Sequence, residues 1–197
     1  MRPNRLPERT SLVKERREAL RGLLGEIIPA SGSFVWEIGC GHGHFLSAYA
    51  RAYPEELCIG IDIASERIGR AERKRERGRI GNLHFVRADA EDFLASCPEG
   101  LSFERIFILF PDPWPKRRHH KNRVVNPAFL ADAARGARKG AGLYFRTDHE
   151  PYFREVEAVL SAHPDWAVPA VPTWPFEEPT VFEKRAKGHF SLEARRR

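Results

Sequence analysis

Cysteine is scarce in this chain: three residues in 197, Cys40, Cys58 and Cys97, odd in number, far apart and without a CxxC pair. That pattern gives neither a disulfide framework nor the spacing of a metal site, and it suits a reducing compartment. No apolar run approaches the roughly 20 residues that a membrane helix needs, and the Arg-rich N-terminus lacks the apolar centre of a signal peptide. A soluble, cytoplasmic chain is therefore expected. Internal repeats, low-complexity segments and the G-x-x-x-x-G-K-[ST] loop that cradles nucleotide phosphates are all missing.

A chain of this length buries roughly two thirds of the surface that it exposes when unfolded, enough for a real core. Charge is plentiful but unbalanced: 33 Lys and Arg against 27 Asp and Glu give a net +6. Anionic partners are favoured, and where the bases cluster is more informative than their total. Residues 1–10, with Pro3 and Pro7 among scattered charges, read as a flexible arm ahead of a single domain over 11–197.

Hydrophobic periodicity sets the fold class. Leu12, Leu20, Leu23, Leu24, Ile27 and Ile28 lie at helical spacing over 11–28. Short apolar runs then alternate with helical stretches. Strands are predicted over 34–38, 57–61, 83–87, 105–110 and 143–146, and helices over 44–52, 64–77, 90–95, 127–138 and 150–162. Asn126-Pro127 reads as an N-cap followed by proline at the first helical position. The alternation predicts a three-layer, Rossmann-like α/β fold around a mostly parallel sheet. The proline- and tryptophan-rich remainder offers only Val181-Phe182 and His189-Phe190 as two late strands.

Ligands of such sheets sit at the carboxyl ends of the strands, where strand order reverses. Four predicted strands end in or beside an acid: Glu37, Asp62, Asp89 and, across Pro111, Asp112. The first turn places Gly39, Gly41 and Gly43 at alternate positions, a poor match to the dinucleotide G-x-G-x-x-G. Asp62 stands where a carboxylate binds ribose hydroxyls, and Asp89 where one accepts from an adenine amino group. A ligand with adenine and ribose but no phosphates fits, and S-adenosylmethionine meets that description. Taken singly, the turn is also an ordinary tight connection, and Asp62 and Asp89 are also possible helix N-caps.

The fourth strand runs into Phe107–Val125, FILFPDPWPKRRHHKNRVV, where two prolines bracket Asp112. Lys116, Arg117, Arg118, Lys121 and Arg123 put five cations within eight positions, with His119 and His120 between them. Such a loop suits a polyanion, although a solvated turn has the same composition. Trp114 reads as a base-stacking platform or as a plug beneath the loop, and the plug is preferred. The basic stretch 66–79 reads as a solvated helix face in preference to a second RNA contact. His42 and His44 read as polar turn residues, with no spacing that suggests a metal.

EIGCGHG, GID, RADAEDF, FPDPWPKRRHHKNR, RTDHEPYF and TVFEKRAKGH occur in this order, and together they resemble the bacterial tRNA (guanine-N7-)-methyltransferases over about residues 34–190. The resemblance implies a class I methyltransferase fold and methyl transfer from S-adenosylmethionine to N7 of guanine 46 in the tRNA variable loop. It implies a catalytic-site acid at Asp112 and substrate contacts at Lys116, Asp148, Thr180 and Glu183, with Arg185 beside them. RNA contacts are implied at Arg118, His119, Lys121 and Arg123, and a monomer or homodimer is expected. Asp148 doubles as a possible N-cap. The chain departs from the pattern at Asp62, where glutamate is common, at Val181, where a cation is common, and in its short N-terminal arm. Methylation of another base and a non-catalytic RNA-binding scaffold are the competing readings; the four retained strand-end acids weigh against the scaffold.

Overall fold

In a computed structural model, residues 6–28, 32–98, 100, 102–178 and 188–197 are described. The elements are α1 (Leu6–Ile27), β1 (Ser33–Ile38), α2 (His44–Ala52), β2 (Leu57–Asp62), α3 (Ser65–Gly78), β3 (Leu83–Arg87), α4 (Ala90–Ser96) and β4 (Ser102–Leu109). A 3-10 helix (Arg117–Asn122), α5 (Pro127–Gly136), β5 (Ala137–Thr147), α6 (Glu150–Ala162), β6 (Trp166–Ala167) and β7 (Phe190–Arg196) complete them. One seven-stranded sheet has the order β3-β2-β1-β4-β5-β7-β6. β1 to β5 pair in parallel, and β7 runs antiparallel to β5 and β6.

Parallel strands covered on both faces must be apolar on both, and two cores result. On one face Trp36 lies between Phe93 and Phe103, with ring centroids at 4.7 and 5.2 Å, beneath the buried side chains of α5 and α6. On the other, Val35, Phe107 and Tyr144 meet Phe45, Leu46 and Tyr49 of α2 and Ile68 and Ala71 of α3. The segment after β6 closes this second face without a helix. Its Phe176 ring lies 5.3 Å from Tyr49, and Trp174 lies 5.5 Å from Tyr144. Arg146 holds the segment through a two-pronged pair with Glu177, both at 3.1 Å, and stacks over Trp174 at 4.1 Å.

Several boundaries differ from the sequence expectation. α1 begins at Leu6, inside the stretch read as an arm; Pro7 falls in its first turn, where a missing N–H costs nothing. α5 ends at Gly136, and β5 starts at once, six residues before the expected Leu143. Its register against β4 jumps from Phe103↔Ala137 to Arg105↔Gly142, a bulge containing Gly140 at φ +80°. A bulge interrupts the alternation that would have betrayed the strand. β7 starts at Phe190, beside one of the two late strands expected; Val181-Phe182 lies outside the described residues.

Candidate active site

Strand order reverses between β1 and β4, which leave the topology in opposite directions and pair directly, Ile38 against Ile108. The crevice at their carboxyl ends is the binding position of an open α/β sheet. β1 to β5 deliver Glu37, Asp62, Asp89, Asp112 and Asp148 to this one rim.

Glu37 is buried, and its Oε2 has no hydrogen-bond partner among the described residues. Burial pushes its carboxyl up to about 8, aided by the charge of Asp62 and opposed by the Leu46 N–H and by Lys74. Leu46 belongs to the first turn of α2, where N–H groups need acceptors and Gly43 has no side chain to offer. The sign of the resulting pH effect is definite. With a folded pKa above the ~4.3 of an unfolded glutamate, the native state holds a proton that the unfolded chain releases. The stabilisation is complete below about pH 4 and disappears as pH rises through about 8. In urea unfolding of the ligand-free protein, Glu37→Gln is expected to be more stable than wild type at pH 8 and to lose that advantage at pH 5, by several kcal/mol at ~1.4 per pH unit. Parallel pH profiles would refute this.

The turn after β1 has left-handed backbone at Gly39, Gly41 and Gly43, with φ of 75°, 55° and 66°. Open space lies beside the first two, whereas Gly43 abuts Phe85. Asp62 is buried and ties this turn down: Oδ2 accepts from the Gly41 N–H at 3.1 Å and Oδ1 from the Ala64 N–H at 2.8 Å. The N-cap of α3 is Ala64, so Asp62 braces the backbone at the head of that helix without being its cap. Asp89 is the N-cap of α4, accepting from Asp92 N at 2.7 Å. Asp89 also borders a cleft of about 460 Å³ lined by Ile63, Ala88 and, from α1, Arg16, Leu20 and Leu23. The α1 wall was not found in the sequence. Arg16 pairs with Asp92, and Arg17 with Asp92 and Glu91, across more than seventy positions, and such pairs leave no local signal.

The rim after β4 is strained. Phe110 and Trp114 have φ of 49° and 44°, conformations costing roughly 1–2 kcal/mol each for a non-glycine residue. Between them Asp112 is exposed, and its Oδ1 accepts from the Trp114 N–H at 3.1 Å. Trp114 is half-buried, with its ring edge-on to His119 at 5.7 Å. Lys116, Arg117, Arg118 and Lys121 are exposed on and beside the 3-10 helix.

Arg123 requires a correction, because its side chain is only 2% exposed and cannot face RNA. It donates to the Pro113 carbonyl at 2.9 Å, pairs with Glu155 of α6 and lies 4.6 Å over the Tyr152 ring. Arg123 is the strut that fixes the PDPW turn to α6. Asp148 is exposed, and the cap of α6 is His149, whose Nδ1 accepts from Tyr152 N at 3.1 Å, so the capping alternative for Asp148 fails. Thr180, Glu183 and Arg185 lie outside the described residues. Among the described residues no cluster of His, Cys, Asp and Glu could hold a metal, and no helix is long and apolar enough to cross a membrane.

This strand order, with acids ringing a glycine turn at the switch point, is that of the class I methyltransferase fold. A solved antibiotic-related methyltransferase has the same fold, with a TM-score of 0.62 at 24% identity over 89% of this chain and 94% of that one. Residues 31–188 match a family model described as "Putative methyltransferase". The tRNA (guanine-N(7)-)-methyltransferase of Stutzerimonas stutzeri (strain A1501) is 34% identical over 172 residues, 83% of this chain and 72% of its own length. That of Caulobacter sp. (strain K31) is 38% identical over 137 residues, 69% of this chain and 60% of its own length. The chain belongs to the tRNA (guanine-N7-)-methyltransferase family.

Proposed function

We propose that the protein methylates N7 of guanine in tRNA, at guanine 46 of the variable loop, using S-adenosylmethionine in the cytoplasm and acting as a monomer or homodimer. The observation that carries this reading is the activity named for curated relatives that align with most of the chain. The site fits the cofactor by its own chemistry. The buried Glu37 Oε2, without a hydrogen-bond partner among the described residues, is an acceptor for an ammonium group, and the open side of Gly39 and Gly41 leaves room along the turn. Asp62 would serve the ribose and Asp89 the adenine edge; Asp62 already accepts from two backbone N–H groups and pairs with Arg67 at 3.4 Å, and its remaining lone pairs are the ones available. S-adenosylmethionine supplies a methyl group on a sulfonium centre.

The residues of the chain then have only positional and electrostatic work. Guanine N7 carries a lone pair and no proton, so no general base is needed. Asp112 orients the base by accepting from its N1–H or amino group, and its charge stabilises the positive charge that grows on the purine. Lys116 and Asp148 hold the target nucleotide, with Thr180 and Glu183 assigned to it by the T-x-F-E match. Arg118, His119 and Lys121 take backbone phosphates, and Arg123 keeps their loop in place. Unmodified tRNA incubated with methyl-labelled cofactor is expected to yield labelled 7-methylguanosine on nucleoside analysis. Label on an exocyclic amino group, or on no tRNA at all, would overturn the assignment.

A further inference from the structure

The strongest feature outside the strand-end site is a basic pocket between the first turn of α2 and α3. Its volume is about 350 Å³, and it is lined by His42, His44, Arg70, Arg73, Lys74 and Arg77. On α3 the four cations fall at i, i+3, i+4 and i+7 and so share one face, while Ile68 and Ala71 turn into the core.

The acids of α3 do not neutralise this face. Glu72 is engaged toward the sheet, with Oε1 accepting from Phe85 N and Oε2 pairing with Arg75, and Glu76 also lies nearest Arg75. Only Glu66 reaches the pocket side, pairing with Arg70 at 2.6 Å. Arg73 and Arg77 are exposed and have no carboxylate partner among the described residues. Lys74 is half-buried and donates to the His42 carbonyl at 2.9 Å, inside the glycine turn. Burial, Arg51 and Arg77 lower its pKa, and the Glu37 carboxyl opposes them.

We propose that this pocket binds a backbone phosphate of the RNA substrate, making a second anchor beside the cofactor turn and separate from the PDPW loop. The inference rests on the tRNA reading above. An open, cation-lined concavity bordered by the glycine turn suits a diester phosphate, and Lys74 links its occupancy to the turn through the His42 carbonyl.

The test measures tRNA binding by the full chain between 50 and 200 mM salt, comparing wild type with the double variant Arg73→Gln, Arg77→Gln. A control removes two charges at the far end of β5, Arg138→Gln and Lys139→Gln. Each lost phosphate contact lowers the slope of log affinity against log salt by about 0.7 for single strands and about 0.9 for duplex. Loss of that one phosphate contact therefore makes the salt sensitivity of the pocket variant smaller by about 2.5- to 3.5-fold across this range, with cofactor affinity unchanged and the control slope like wild type. An unchanged slope in the pocket variant overturns the proposal. So does an equal fall in the control, which would reflect net charge alone. Methyl transfer by the wild type is assayed alongside: failure there removes the tRNA methylation reading, whereas transfer with an unchanged pocket slope removes only the pocket.

Discussion

Asp112→Ala should lower turnover about 100- to 1,000-fold while leaving cofactor and tRNA dissociation constants within a few-fold of wild type. The expectation follows from what N7 methylation requires. With no proton to remove, what a carboxylate can contribute is orientation of the base and stabilisation of its developing charge, both strongest in the transition state, so the loss belongs in kcat. The rim is built to hold such a group: Pro111 and Pro113 flank it, and the left-handed residues Phe110 and Trp114 bracket it. One oxygen is occupied by the Trp114 N–H. Asp112→Asn retains an acceptor for that bond and removes the charge, so it separates bracing of the loop from the work on the base. If charge is what matters, asparagine should lose nearly as much turnover as alanine. Full activity in alanine would remove Asp112 from the chemistry, and full activity in asparagine would reduce it to a brace for the loop.

How much of this site could be read from sequence depended on whether the signal was local. The strand-end acids and the glycine turn were legible because each follows an apolar run within a few positions, and the parallel sheet follows from their alternation with helices. Asn126-Pro127 was legible for the same reason, and Asn126 indeed accepts from Phe129 N at 3.0 Å. Arg123 was misread because a cation in a basic loop looks like its neighbours; what turns it inward is Glu155, thirty-two positions away on α6. The segment around Trp174 and Phe176 has no periodicity because it fills a helix position with side chains alone, anchored by Arg146 from a distant strand. The cations of α3 look solvated in one dimension, and only the packing of α3 beside α2 brings them around a pocket.

The second large effect concerns folding, and the glycine turn divides it from binding. A Cβ on Gly43 would lie 2.3 Å from Phe85 Cζ and 3.0 Å from Ala71 Cβ, in a residue held at φ +66°. Phe85 is buried in the core shared with α2 and α3. The left-handed backbone costs roughly 1–2 kcal/mol for alanine and overpacking roughly 1–3 more. Gly43→Ala should therefore lose roughly 2–5 kcal/mol in urea unfolding, a large share of the ~5–15 that a domain of this kind has. Gly39 is the contrast, since at φ +75° a Cβ there would meet nothing within 4 Å. Gly39→Ala should lose only the backbone cost of ~1–2 kcal/mol, yet weaken S-adenosylmethionine binding measured by calorimetry, because its methyl group enters the room along the turn. If Gly39→Ala is as unstable as Gly43→Ala, the turn is a packing device at both positions. If Gly39→Ala binds the cofactor as wild type does, the open side of the turn is not where the ligand lies.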